Sequence, residues 1–229
     1  MNQAVLQFIT PWIIIIIILF ATAGLIWLFF DYGIDKIKYP VEWKDKGSSG
    51  ERTLYKQLIS EFHVPENQIF RNVYIPIKGN KTTEIDLIVV SKKGLLLFEC
   101  KNYAGNIYGD GNRKKWVQYL GKKKSYFYNP ILQNKSHAKY LKEYLGPAGN
   151  VPIIPMVVTI KRGNWKIKNL GTEDYLLGYN SHLKDIIASL EPSEQIAKYY
   201  KTIVNKLTPL SRPDESIREE HIKQIRKVT

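Results

Sequence analysis

From Trp12 to Phe30 the chain runs for nineteen residues without a charge, interrupted only by Thr22 and Gly24. As a helix rising about 1.5 Å per residue, this run spans roughly 28 Å, close to the ~30 Å hydrocarbon core of a bilayer. Trp12 and Trp27 stand near its ends, where indoles favour the membrane interface. Met1 to Pro11 holds no Lys or Arg, so the charged start of a signal peptide is missing, and the apolar run is too long for a signal core. The pattern predicts a short extracytoplasmic N-terminus over 1–11, a retained transmembrane helix over 12–30 and a charged juxtamembrane linker over 31–46.

Beyond the linker the periodicity changes. Ser48 and Glu51 have capping-box spacing, and Leu54, Leu58, Ile59 and Phe62 make an apolar stripe at helical period that ends near Pro65. Three strands are predicted next: Ile69 to Ile77, Glu84 to Ser91 and Gly94 to Lys101, the last two joined by a turn at Ser91-Lys92-Lys93-Gly94. This hairpin is apolar on both faces, which suits a central position covered by helices. Residues 102–121 are rich in Gly, Asn and Tyr and carry weak strand character near Ile107 and Trp116. Asn129-Pro130 starts a helix that runs to about Leu145, because Asn caps and Pro suits the first helical position. A buried strand over 151–160, a short one near 175–179 and helices near 181–190, 193–207 and 214–227 complete the reading. It predicts an α/β domain over 47–190 and a basic helical tail over 191–229.

Side chains two residues apart share a face of a strand, so Glu99 and Lys101 point the same way. If the hairpin loop has two residues, paired positions sum to 185 and Asp86 faces Glu99, with Cβ atoms ~5 Å apart. A three-residue loop with Gly94 in the left-handed conformation offsets the pairing by one; the pattern allows both. Two opposed carboxylates on an apolar hairpin repel, and burial is costly for each. Lys101 compensates in part. A divalent cation does so better, since Mg²⁺ takes one or two carboxylates together with water and phosphate oxygens. Two acids and a lysine around one metal are the parts needed for phosphodiester hydrolysis. Cys100, the single cysteine, alternates away from Glu99 and Lys101 and reads as a core residue; alone, it excludes an intrachain disulfide.

Charge sharpens the picture. The 229 residues carry a formal net charge of +13, all of it in residues 41–229, where 32 basic residues face 19 acidic ones. Lys36, Lys38, Lys44 and Lys46 flank the apolar run on its C-terminal side only, which predicts the N-terminus outside and the C-terminal domain in the cytoplasm of a single-pass cell-membrane protein. Those lysines are also placed to meet anionic lipid. From Lys101 to Lys135, eight basic residues face only Asp110, with Tyr103, Tyr108, Trp116, Tyr119, Tyr126, Phe127 and Tyr128 interleaved. Lysines track phosphates and rings stack on bases, so Lys114, Lys115, Lys122, Lys123, Lys124 and Trp116 are candidate nucleic-acid contacts, DNA or RNA. No zinc-ligand spacing, P-loop, nucleophile elbow or dinucleotide fingerprint occurs.

Glu51 beside Gly50, Glu84-Ile85-Asp86, Glu99-Cys100-Lys101-Asn102-Tyr103, Trp116, and Asn129-Pro130 with Gln133 and His137 together resemble the nuclease-related domain family. That family is a branch of the PD-(D/E)xK restriction-endonuclease-like superfamily, and the resemblance covers about residues 47–145. It implies a mixed β-sheet core flanked by helices and Mg²⁺- or Mn²⁺-dependent cleavage of nucleic acid. By motif, Asp86 and Glu99 would bind metal, Lys101 would serve catalysis, Glu51 would reach the site from the first helix and Gln133 from a later one. Ile85 stands where the superfamily's name has Pro. Glu51 also fits as the capping-box partner of Ser48, and the face carrying Gln133, His137, Tyr140 and Tyr144 suits a cleft or solvent equally well; His137 reads as a bystander. A catalytically silent nucleic-acid-binding or scaffold protein with the same fold is the alternative function.

Overall fold

A computed structural model of the chain describes residue 22 and residues 48–160, 163–178, 183–211 and 215–226. The predicted membrane span, Thr22 apart, and the juxtamembrane linker lie outside the described residues. Among the described residues no helix is long and apolar enough to cross a membrane.

Helix α1 (Ser48–Ser60) buries Leu54, Tyr55 and Leu58. It ends where His63 takes a left-handed backbone (φ 54°) and Val64 donates back to the Leu58 carbonyl. Strands β1 (Ile69–Ile77), β2 (Lys81–Ser91) and β3 (Gly94–Lys101) form an antiparallel meander. The β2–β3 register runs from Leu87 opposite Phe98 to Ser91 opposite Gly94, so the loop has two residues. Gly94 is obligatory there: its φ is +147°, and a Cβ would lie 2.5 Å from the Pro152 carbonyl oxygen.

A second group of strands follows: β4 (Gly105–Asp110), β5 (Lys115–Leu120) and β6 (Lys123–Tyr128). Helix α2 (Pro130–Leu145) comes next. Asn129 is fully buried at its start, and its side-chain oxygen accepts from the backbone N–H groups of Ile131 and Leu132 at 2.9 and 3.4 Å. Its amide nitrogen donates to the carbonyls of Gly111 and Arg113, so one side chain fixes both the helix start and the β4–β5 turn. Strands β7 (Ile153–Thr159), β8 (Gly163–Lys168) and β9 (Tyr175–Leu177) and helices α3 (Leu183–Ser189), α4 (Glu194–Leu207) and α5 (Glu215–Arg226) complete the described chain.

The strands form two mixed sheets, β1-β2-β3-β7-β9 and β6-β5-β4-β8. In the first, β3 is central and parallel to β7. One of its faces packs Ile88, Val90, Leu95 and Leu97 against Leu141 and Leu145 of α2 and Ile196, Ile203 and Leu207 of α4. Residues 194–207 therefore belong to the main core, and burying those three aliphatic side chains contributes roughly 1.5–3 kcal/mol each. The other face, with Val89 and Leu96, meets Leu58 of α1 and Ile187 of α3 around a groove of about 310 Å³. This mixed α/β architecture fits a restriction-endonuclease-like core.

Alternation breaks at one place. Phe70 and Val73 on β1, and Ile85 and Ile88 on β2, enter the same core although each pair is three residues apart. The break falls at Asn72, whose backbone is left-handed (φ 47°), and at Asp86, which the register places opposite it. The register is the same on both sides, from Arg71 opposite Leu87 to Val73 opposite Ile85, so neither strand carries an extra residue; the left-handed Asn72 is a local kink that reverses the alternation and interrupts pairing for one position. Here it turns Asp86 toward the end of β3.

Candidate active site

Four elements converge where β3 leaves the core. Glu99 is 2% exposed. Lys101, two residues on and on the same face, donates from Nζ to Glu99 Oε1 at 2.6 Å and to Gln133 Oε1 of α2 at 3.3 Å. Regular β2–β3 pairing stops at Leu87, and Asp86 Oδ2 instead accepts the backbone N–H of Cys100 at 2.7 Å. The two-residue loop thus selects one of the two registers the sequence allowed, while the kink at Asn72 and the Cys100 N–H decide how the Asp86 carboxylate is held. Glu51 of α1 is half-buried, and its Oε2 accepts from Asn72 Nδ2 at 3.4 Å; the same amide donates to Glu84 Oε1 at 3.2 Å. Asn72 thereby holds two carboxylates beside the kink it forms.

The electrostatics follow from burial and crowding. Burial, then the charges of Glu99 and Glu51, push the Asp86 carboxyl well above its ordinary range. Burial and the nearby Glu84 raise Glu51 to about 7. Burial acts in the same direction on Glu99, but the Lys101 ammonium and contact with His137 prevail and hold it below its ordinary value. Burial disfavours the Lys101 ammonium, and the Glu99 and Asp86 charges more than reverse this. Burial, followed by the adjacent carboxylates, raises the Cys100 thiol well above its usual value, so the sulfur is no ready nucleophile.

His137, expected as a bystander, is part of this cluster. It is 6% exposed, its Nδ1 lies 2.9 Å from Thr83 Oγ1 and its Nε2 3.3 Å from Glu99 Oε2. Spacing of four from Gln133 along α2 is the signal that aligns them. Sequence reasoning also missed Asn72 and Thr83, and, although it expected a helix near 214–227, it did not bring that helix's His221 beside Glu84. His221 of α5 sits 2.9 Å from Thr82 Oγ1, edge-on to Tyr74, and 3.9 Å from Glu84 Oε2. Burial keeps the His221 imidazole below its ordinary pKa.

Among the described residues no three His, Cys, Asp or Glu side chains stand together as a ready-made metal cage. The oxygen donors nonetheless suit a hard divalent cation. Glu99 Oε2 is buried with His137 Nε2, at 3.3 Å, as its neighbour, and Asp86 carries repulsion from Glu99 and Glu51 that Lys101 offsets in part and an added cation would relieve further. Mg²⁺ asks a protein for just one or two carboxylates. Asp86 and Glu99 are the residues placed to hold such an ion, with Lys101 and Gln133 beside it.

The residues expected on the nucleic-acid surface divide. Lys114, Lys115, Lys122, Lys123 and Lys124 are exposed. Trp116 is not available: it is 1% exposed, its Nε1 donates to the Asp110 carbonyl, and its ring lies edge-on to Phe127 and Trp165. The alternation of β5 that brings Lys115 outward puts Trp116 in the core, so the expectation that it contacts nucleic acid is corrected.

An uncharacterized protein of Bacillus anthracis is 28% identical over 188 residues, covering 82% of this chain and 86% of that relative. The family model described as the nuclease-related domain matches residues 46–160, about half of the chain, including β1 to β7 and every residue of the Asp86, Glu99, Lys101 and Gln133 cluster. The chain belongs to the nuclease-related domain family.

Proposed function

We propose that this protein is a membrane-tethered, divalent-metal-dependent nuclease whose domain faces the cytoplasm and hydrolyses phosphodiester bonds at Asp86, Glu99 and Lys101. The observation that carries the reading is the pairing of Lys101 with both Glu99 and Gln133, beside an Asp86 carboxylate that the Cys100 N–H holds at the same place. A structural ion pair at a strand end needs no amide from a helix and no second carboxylate held beside it. Membership of a nuclease-related family supports a nucleic-acid substrate. The apolar run at 12–30 and its lysine-bearing C-terminal flank support the tether and its orientation.

Mg²⁺ or Mn²⁺, held by Asp86 and Glu99, would polarise the phosphate and lower the pKa of bound water. The chain's own residues do the rest. The Cys100 N–H fixes Asp86. Lys101 keeps its proton, so it offsets phosphate charge and donates to oxygen rather than acting as a base. Gln133 limits the directions in which the ammonium can point. His137 sets the second oxygen of Glu99. Glu51 adds a carboxyl whose pKa of about 7 lets it hold or release a proton near neutrality.

The test is incubation of the full chain with labelled single-stranded DNA, duplex DNA and RNA, with Mg²⁺, Mn²⁺ or chelator. Cleavage is expected with metal, absent with chelator, and lowered about a thousandfold in Asp86→Ala and Lys101→Ala. Salt-dependent binding without cleavage of any substrate would instead make the protein a catalytically silent binder. External protease on intact cells should spare the C-terminal domain; its digestion would reverse the orientation.

A further inference from the structure

The sheet β6-β5-β4-β8 has two unlike faces. The inner one is a core of Ile107, Trp116, Phe127 and Trp165, packed so closely that a Cβ on Gly109 would lie 2.4 Å from the Trp116 ring. On the outer one, the register aligns Lys166, Tyr108, Val117 and Tyr126 in a single row across all four strands. The neighbouring row is Asn164, Asn106, Tyr119 and Lys124. Tyr108 and Tyr126 are 39% and 63% exposed.

These side chains touch one another. The Tyr108 and Tyr119 rings meet edge-on with centroids 5.8 Å apart. Lys124 Nζ lies over Tyr126 at 5.0 Å and over Tyr119 at 5.7 Å, and Lys166 Nζ lies over Tyr108 at 5.7 Å. The result is one contiguous patch, with a cation beside each ring. Among the described residues of these four strands Asp110 is the one acid, and it is already engaged: its carboxylate accepts from the Asn112 backbone and from Asn169.

We propose that this outer face binds single-stranded nucleic acid, with bases stacked on Tyr108, Tyr119 and Tyr126 and phosphates taken by Lys124 and Lys166. Exposed rings on a sheet offer flat surfaces to unpaired bases, and lysines that cover the rings in the free protein have the reach to turn to phosphates once a base takes their place. A duplex keeps its base faces stacked inside, so it cannot use the rings. Neither stacking nor phosphate contact involves the 2′-hydroxyl, so DNA and RNA strands bind alike. An anionic membrane is the rival partner for a basic aromatic face. Membrane-docking surfaces insert Trp, Phe and Leu, and this face presents none. The proposal goes beyond the hydrolysis proposed above: it concerns a separate surface, and its test needs no metal.

The test is fluorescence anisotropy of the full chain, in non-ionic detergent and EDTA, with labelled oligo(dT) and oligo(U) of roughly 16 nucleotides. Both strands should bind more tightly than duplex. Tyr108→Leu with Tyr126→Leu should raise Kd about tenfold or more, while Phe at both positions keeps it within about twofold, because stacking needs the ring and not the hydroxyl. Lys124→Gln with Lys166→Gln should lower the slope of log K against log salt by about 1.4, from two lost phosphate contacts. The proposal is overturned if the Leu pair binds like wild type, if the Phe pair loses as much as the Leu pair, or if base-free heparin competes as well as the strands do. It is equally overturned if, in zwitterionic nanodiscs, the chain binds phosphatidylserine vesicles through these tyrosines and no oligonucleotide. Because EDTA is present throughout, loss of cleavage and loss of this binding are separate results.

Discussion

The two sheets handle charge in opposite ways. At the end of β3, charged groups are drawn inward: Glu99 is 2% exposed, Lys101 is held by two partners, and Asp86 is pinned by a backbone amide. On β4, β5, β6 and β8, charged groups and rings stand outward over an aromatic core, and their contacts are with one another. The first arrangement costs stability, because carboxylates in a poorly solvated place repel. It gains fixed geometry and a strong field. The second costs almost nothing and remains adaptable. Chemistry on a phosphodiester needs the former, while holding a polyanion of any sequence needs the latter.

The largest expected effect breaks the first region's function without breaking its fold. Asp86→Asn keeps an oxygen for the Cys100 N–H but removes the charge that a metal requires. Cleavage should fall about a thousandfold, and melting in EDTA should change by less than about 1 kcal/mol or shift toward greater stability. Next, Asn134 is 1% exposed and its amide donates at 3.0 Å to the carbonyls of both Leu97 and Met156, tying α2 to β3 and β7. Asn134→Ala should cost about 2–4 kcal/mol in urea unfolding, because two buried carbonyls lose a donor.

A pH experiment gives a somewhat smaller effect. The Glu51 carboxyl is raised from 4.5 to about 7 by burial and by Glu84, so the folded protein holds that proton where the unfolded chain releases it. Stability from this group is therefore lost as pH rises from about 4.5 through about 7. Glu51→Gln should change nothing at pH 4.5 and stabilise by about 2–3 kcal/mol at pH 8 in EDTA, read by urea unfolding. The smallest effect belongs to the second region: Tyr126→Ala, at an exposed site, should alter stability by less than about 0.5 kcal/mol.

Much of the frame was legible in the sequence because local signals and tertiary demands agree. Asn129-Pro130 does start a helix, and β1 and β3 fall at Ile69–Ile77 and Gly94–Lys101, as their apolar runs predict. The two-residue hairpin was one of two registers left open, and Gly94 packed against Pro152 is what selects it. The kink in β1 was not legible, since it depends on a left-handed Asn72 in the middle of a strand whose own pattern is unremarkable. His137 was read as a bystander because its partners, Thr83 and Glu99, lie 54 and 38 residues away in sequence. The strand β8 was missed altogether: Gly163 to Lys168 alternates polar and apolar residues too briefly to stand out, yet it supplies both Trp165 to the core and Lys166 to the outer face. Trp116 looked like a stacking ring because composition does not tell which face of a strand is buried.

Parallel measurement of cutting and holding by Lys101→Met tests the division most directly. The full chain and this variant would be compared for single-turnover cleavage of a labelled single strand in Mg²⁺, and for binding of the same strand in EDTA. The wild-type chain should cut only with the metal, and Lys101→Met should bind the strand without cutting it. A wild-type chain that never cuts, or a Lys101→Met chain that cuts as fast as wild type, would contradict the account.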